Sequence, residues 1–189
     1  MKVQDTAIPG VKLLTPARIA DERGFFAESW NRARLAEAGI DIDFVQDNHS
    51  LSHRKGTVRG LHFQAPPHAQ AKLVRCGRGA LWDVAVDIRR GSPSYGQWVA
   101  AELSFDNGRQ MLIPEGCAHG FVTLRDETEG IYKCSAYYAP GSDRALQFDD
   151  PAIGIDWGVT RAESVLSAKD AAAPPLCDLD SPFVWEGAV

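Results

Sequence analysis

The chain has 189 residues, 44% of them hydrophobic and 24% charged, with a formal net charge of −5. That length fits one domain, and the near-average apolar content excludes disorder for the bulk of the chain. The negative balance argues against nucleic acid as a partner, although a local basic pocket can still hold a nucleotide phosphate.

The opening MKVQDTAIPG lacks the apolar core of a signal peptide. No run of ~18 apolar residues offers a membrane span, so a soluble cytoplasmic protein is expected. The first element is a helix over Trp30–Ala38, with Ser29 or Asn31 as its cap and Gly39 as its stop. Short strands follow at Phe44–Leu51, Thr57–Gln64, Lys72–Cys76, Ala80–Ile88, Gln97–Ser104, Gln110–Ile113, Gly120–Leu124 and Gly130–Tyr138. Turn signals such as Pro66-Pro67, Gly91-Ser92-Pro93 and Asp106-Asn107-Gly108 separate them. In Ala80–Ile88 the apolar residues 82, 84, 86 and 88 alternate with neighbours that include Asp83 and Asp87, which reads as a half-buried strand. A second short helix begins at Ser167, where Ser-Ala-Lys-Asp supplies a cap and a first-turn carboxylate.

Many short strands with few helices define an all-β sandwich or barrel. Residues 1–173 read as a single domain. Residues 174–189 form a Pro-rich, irregular tail, which Phe183 and Trp185 would pack onto the domain. Cys76, Cys117, Cys134 and Cys177 have no CxxC spacing and read as reduced thiols, with Cys76 and Cys134 as packing residues. The His53-Arg54-Lys55 run reads as an exposed turn, and His49 and His68 carry no assigned role.

One spacing carries chemistry. Gly108-x5-Pro114-x-Gly116-x2-His119 resembles the second motif of the cupin double-stranded β-helix, a jelly-roll barrel with a histidine at its mouth. Metal-binding cupins add an earlier HxH and a glutamate. The matching stretch here is Gly60-Leu61-His62-Phe63-Gln64, with glutamine in place of the second imidazole, so the site reads as metal-free. On regular strands Gln46, Asn48 and Ser50 share one face, as do His62 and Gln64. Arg59 would then point away from His62 unless Gly60 allows a bulge.

Five blocks in register are more specific. They are Asp21-Glu22-Arg23-Gly24-Phe25-Phe26-Ala27-Glu28, the polar stretch from Gln46 to Gln64, Ala69-Gln70-Ala71-Lys72-Leu73-Val74, Pro114-Glu115-Gly116-Cys117-Ala118-His119-Gly120-Phe121, and Leu166-Ser167-Ala168-Lys169-Asp170. Together they resemble the dTDP-4-dehydrorhamnose 3,5-epimerase family over nearly the whole chain. The resemblance implies a cupin-type barrel, a homodimer, no metal or redox cofactor, and a dTDP-4-keto-6-deoxy sugar as substrate.

Carried onto matching positions, the resemblance makes His62 the base, Tyr132 the acid on the opposite face, Asp170 the residue that orients His62, and Lys72 the partner of the C4 oxygen. The nucleotide and sugar would be held by Arg23, Phe26, Glu28, Gln46, Asp47, Asn48, Arg59, His119, Asp143 and Lys169. Tyr138, six residues after Tyr132 on one strand face, either stacks on thymine or sugar or packs structurally. Asp170 doubles as a helix-capping carboxylate. Asp143 stands where many relatives carry glutamate, which puts that contact in question, and Cys117 stands where an aromatic is common.

The residue types suit the reaction. C3 and C5 flank a ketone, so their protons are acidic enough to leave an enolate. Inversion then needs a base on one face, a donor on the other and a cation at the oxygen. Three rival readings stay open: a single-position epimerase of another deoxysugar pathway, a metal-dependent cupin using His62, Gln64 and His119, and a non-catalytic sugar-binding module.

Overall fold

The chain's short alternating segments pair almost entirely with antiparallel neighbours. In the computed structural model, which describes residues 1–187, the strands are β1 (Lys2–Asp5), β2 (Lys12–Thr15), β3 (Ile19–Asp21), β4 (Gly24–Phe26), β5 (Gln46–Ser52), β6 (Val58–Gln64), β7 (Lys72–Arg78), β8 (Ala80–Asp87), β9 (Trp98–Ser104), β10 (Gln110–Ile113), β11 (Cys117–Thr123), β12 (Thr128–Cys134) and β13 (Asp143–Ala145). Two short helices, α1 (Arg32–Glu37) and α2 (Ala168–Ala171), complete the framework. A six-stranded sheet in the order β1-β2-β10-β7-β12-β5 faces a five-stranded sheet in the order β13-β6-β11-β8-β9, and β3 and β4 form a separate hairpin. This is the cupin-like jelly roll.

Three apolar clusters place the layers. Val74, Leu81, Ala85, Leu103, Met111 and Phe121 come from both sheets and fill the space between them. Val58, Leu61, Val84, Val86 and Ala118 form the outer face of the five-stranded sheet, covered by Leu146, Phe148, Ile153 and Trp157. Leu14, Leu73 and Leu112, on the outer face of the six-stranded sheet, are covered by Leu35 of α1 and by Ile40. Each such fully buried aliphatic side chain contributes about 2 kcal/mol. Asn31 caps α1 by accepting the Arg34 N–H at 3.2 Å, and the chain leaves the helix through Gly39 at φ +76°.

The structure corrects several expectations. β8 is not half-buried: Val84, Val86 and Ile88 lie under the C-terminal covering segment, while Asp83 and Asp87 on the other face are wholly buried in the interior. The alternation is real, but its polar phase faces inward. β12 ends at Cys134, so Tyr138 is not on its face. Beyond Cys134, glutamine side chains replace the strand ladder. Gln70 donates to the Ala136 carbonyl at 2.7 Å, Gln64 donates to the Tyr137 carbonyl at 3.2 Å, and Gln46 accepts the Tyr138 N–H at 2.9 Å. Strands β1 to β4 and β13, absent from the sequence reading, are only three or four residues long.

The segment after residue 174 is irregular and packed. Val184 bridges Arg90, the Phe183 ring lies 6.0 Å from that of Phe63, and the Arg89 guanidinium sits 4.4 Å from the centre of the Trp185 ring. Residues 188 and 189 of the expected tail lie outside the described residues. All four cysteines are free thiols, and burial pushes Cys76 up to about 11 and Cys117 up to about 12.

Candidate active site

The barrel interior is polar at one end. There a cavity of about 400 Å³ is lined by Ser50, Thr57, Arg59, His62, Lys72, His119, Phe121, Tyr132, Leu166, Ser167 and Asp170, among others. β6 and β11 bring His62 and His119 together as direct cross-strand partners. Two steps along, Arg59 pairs with Phe121, so two residues of β6 oppose Gly120 alone. This bulge turns Arg59 to the same cavity as His62, which regular alternation forbids. Gly60 makes it possible: its φ is +119°, and a Cβ there would sit 2.6 Å from both Gly120 Cα and the His119 carbonyl oxygen.

His62 Nε2 lies 2.5 Å from Asp170 Oδ1. Ser167 caps α2 by accepting the Asp170 N–H at 3.1 Å, so the cap fixes the carboxylate that fixes the imidazole. Burial would raise the Asp170 carboxyl, but the His62 hydrogen bond and charge outweigh it and hold the group below its ordinary value. The capping side chain is thus that of Ser167, and the Asp170 carboxylate serves as the imidazole partner. Tyr132 projects from β12 in the opposite sheet, and burial raises its phenol pKa, so the hydroxyl stays protonated at neutral pH. Lys72, on β7 beside it, has its Nζ 6.0 Å from the centre of the Tyr132 ring, and burial lowers its pKa.

A smaller cavity of about 120 Å³ adjoins this one and shares His62, Lys72 and Tyr132. It gathers Gln46, Asn48, Tyr138, Asp143 and Lys169. Asp143 Oδ2 accepts from Lys169 Nζ at 2.5 Å and from the Tyr138 hydroxyl at 3.1 Å. The shorter aspartate thus engages its own neighbours. Gln46 Nε2 donates to Asn48 Oδ1 at 3.0 Å, which sets the two amides as one unit.

Other candidates lie elsewhere. Asp47 points to the outer face of β5, where it pairs with Lys133 at 2.9 Å. Arg23 and Phe26 sit on the exposed β3–β4 hairpin, with Arg23 paired to Asp21 and the Phe26 side chain in solvent. Glu28 pairs with Arg34 at 3.0 Å. None of these four reaches the cavity within one chain. His119 lines the cavity but is mostly buried, its Nε2 2.7 Å from Asp83 Oδ1. Gln64, the would-be metal ligand, spends its amide on the His68 and Tyr137 carbonyls and the Ala139 N–H. Among the described residues no group of three His, Cys, Asp or Glu is arranged to hold a metal ion.

The sequence reading missed Thr57, Phe121 and Asp83. Phe121 was recoverable, because it shares a strand face with His119 two residues earlier. Asp83 carried no signal beyond being acidic within an apolar run.

A jelly-roll barrel whose cavity is lined by an aspartate-bound histidine and, from the opposite sheet, a half-buried tyrosine has the architecture of a cupin-type enzyme. The family model for dTDP-4-dehydrorhamnose 3,5-epimerase matches residues 5–178. The chain belongs to this family. It is 54% identical over 177 residues to the dTDP-4-dehydrorhamnose 3,5-epimerase of Salmonella typhimurium, covering 93% of this chain and 96% of that one. It is 52% identical over 185 residues to the enzyme of the same name from Sinorhizobium fredii, covering 98% and 94%. Among solved structures it resembles the dTDP-6-deoxy-D-glucose-3,5-epimerase of Legionella pneumophila in complex with dTDP-4-keto-L-rhamnose. The TM-score is 0.93 at 44% identity, covering 98% of this chain and 99% of that one. No helix among the described residues is long and apolar enough to cross a membrane.

Proposed function

We propose that the protein epimerises dTDP-4-dehydro-6-deoxy-D-glucose at C3 and C5, giving dTDP-4-dehydro-L-rhamnose for dTDP-L-rhamnose biosynthesis. One observation carries this reading: His62 with Asp170 on one side and Tyr132 on the opposite sheet line a single cavity that also holds Lys72.

With its Nε2 hydrogen held by Asp170, His62 takes the C3 or C5 proton on Nδ1. The electron pair of the broken C–H bond moves onto the C4 oxygen, where the Lys72 ammonium stabilises the enolate. The Tyr132 hydroxyl then protonates the same carbon from the other face. Solvent returns the phenolate to phenol and removes the proton from His62, so the sugar's oxidation level is unchanged and the reaction calls for neither a redox cofactor nor a metal.

Arg59 and Lys169 would meet the diphosphate, with Gln46, Asn48, His119 and Asp143 around the sugar and nucleotide and Tyr138 beside the base. The protein would act as a cytoplasmic homodimer. The hairpin that exposes Ile19 and Phe26 supports this, since these two apolar side chains are largely uncovered within one chain and a partner's cavity would receive Arg23, Phe26 and Glu28.

Proton NMR of the dTDP-4-keto sugar in deuterium oxide tests the reaction. Deuterium at both C3 and C5 supports it, label at C3 alone makes the protein a single-position epimerase, and no label refutes it.

A further inference from the structure

The aromatic side chains beyond β12 have little apolar cover. Tyr137 is 69% exposed and Tyr138 is 56% exposed, so packing alone fixes neither ring. Tyr138 nonetheless lines the smaller cavity together with Lys72 and Tyr132. Residues 136–139 belong to no strand or helix, and their backbone groups are taken up by side chains.

Gln64 stands at the centre of that arrangement, and the mechanism above gives it no part. It is only 4% exposed and lies on β6, two positions after His62. Its Oε1 accepts the Ala139 N–H at 2.7 Å, and its Nε2 donates to the Tyr137 carbonyl at 3.2 Å and to the His68 carbonyl at 2.7 Å. Two of these three bonds therefore fall on the backbone groups that flank Tyr138. The ring end is held as well. Asp143, the direct cross-strand partner of Gln64, accepts from the Tyr138 hydroxyl at 3.1 Å.

We propose that Gln64 is a positioning residue for Tyr138: its buried amide grips the backbone on both sides of that residue and so presents a half-exposed ring to the nucleotide of the substrate. The proposal rests on the epimerase reading above.

Only an amide serves here. One side chain must accept from an N–H while donating to two carbonyls, and glutamate, of the same shape, would set an oxygen against both carbonyl oxygens. A fully satisfied buried amide is also costly to displace, because every partner it leaves loses its hydrogen bond. That rigidity matters to a binding platform. A ring ordered before the ligand arrives spares the complex the cost of ordering it afterwards.

Gln64→Met keeps the length of the side chain and removes all three hydrogen bonds. Its affinity for dTDP, measured by calorimetry, should fall about 10-fold, and that of Tyr138→Ala should fall by at least as much, the usual loss when a stacked aromatic is removed. Combining the two should add no more than about twofold to the loss in Tyr138→Ala, because both act on one contact. At saturating substrate kcat should stay within about threefold, since His62 keeps Asp170 and the proton transfers are untouched. Unchanged dTDP affinity in either single variant overturns the proposal. So do losses that multiply in the double variant, or a kcat that falls as far as the affinity.

Hydrogen exchange in the wild-type protein supplies a second measurement that needs no variant to fold. The Ala139 N–H should exchange slowly although it lies outside any strand, and free exchange there refutes the grip. If wild-type protein neither binds dTDP nor exchanges substrate hydrogen, the epimerase reading fails, while Ala139 protection still decides whether Gln64 holds the segment.

Discussion

His62 and His119 face each other across β6 and β11, yet each gives its Nε2 to a different carboxylate, Asp170 at 2.5 Å and Asp83 at 2.7 Å. The two pairs differ in access. The His62 side chain is 30% exposed and can meet a sugar carbon, whereas that of His119 is 7% exposed and serves as wall. That difference assigns proton transfer to His62.

Replacing His62 by alanine should reduce deuterium exchange at C3 and C5 by about 10²- to 10⁴-fold, the usual contribution of a positioned base. Binding of dTDP, followed by calorimetry, should persist, because the nucleotide contacts lie on other residues. Full turnover in this variant would remove His62 from the reaction.

Tyr132→Phe should separate the two half-reactions. Wash-out of substrate hydrogen into solvent depends on His62 and should survive, while formation of inverted product falls by about 10²-fold or more. Equal loss of both would make the tyrosine a packing residue.

The alkaline limb of the rate profile should belong to Lys72. Burial holds its ammonium below the ordinary lysine value of about 10.4, whereas Tyr132 is pushed above its ordinary value of about 10. As pH rises, the lysine should lose its proton below the ordinary lysine value, and kcat should decline with it. An alkaline limb of kcat at or above the ordinary lysine value would contradict this assignment.

Asp87 makes a stability prediction away from the cavity. Its buried carboxylate accepts from Arg89 Nε and Nη2 at 2.8 Å each and from Ser92 and Ser94 at 2.6 Å each. Burial would raise its pKa, but these donors outweigh it and hold the group below its ordinary value. Asp87→Asn leaves Arg89 buried without its counter-charge and should cost about 3–5 kcal/mol in urea unfolding at pH 7. Since the folded-state value lies below the unfolded one, the carboxylate's contribution is complete above about pH 4 and is lost as pH falls through the depressed value. The gap between wild type and variant should therefore narrow below about pH 4.

Gly60→Ala forces a Cβ to 2.6 Å from the neighbouring backbone at a φ of +119°. Strain and overpacking together should cost about 2–4 kcal/mol. The urea midpoint should drop, and activity should fall further than stability alone explains, because Arg59 loses its direction.

Much of this was legible in the chain. His62, Lys72 and Asp170 come from three separated blocks and Tyr132 from the strand read at Gly130–Tyr138, and the cavity brings all four together. The possible Gly60 bulge was readable too, since Arg59 and His62 differ by an odd number of positions. What stayed hidden was set by tertiary partners. Asp83 and Asp87 look like the solvent phase of an alternating strand, and only the covering segment around Phe148 and Trp157 reverses that assignment. Tyr138 looks like a continuation of β12, because nothing local reveals that Gln46, Gln64 and Gln70 reach over to take the next backbone groups. Strands β1 to β4 are too short to display a period at all.

The bulge at Gly60 also acts as a parity switch. A strand counts its residues as odd and even, and this single irregularity shifts the count by one between the guanidinium of Arg59 and the imidazole of His62. A regular, unbulged strand of the same length would send the two groups to opposite sides of the sheet, with every side chain still present. Whatever spans from an anion at Arg59 to a carbon at His62 is therefore measured by backbone phase as much as by side-chain chemistry, and flattening the bulge would part the two groups without altering either.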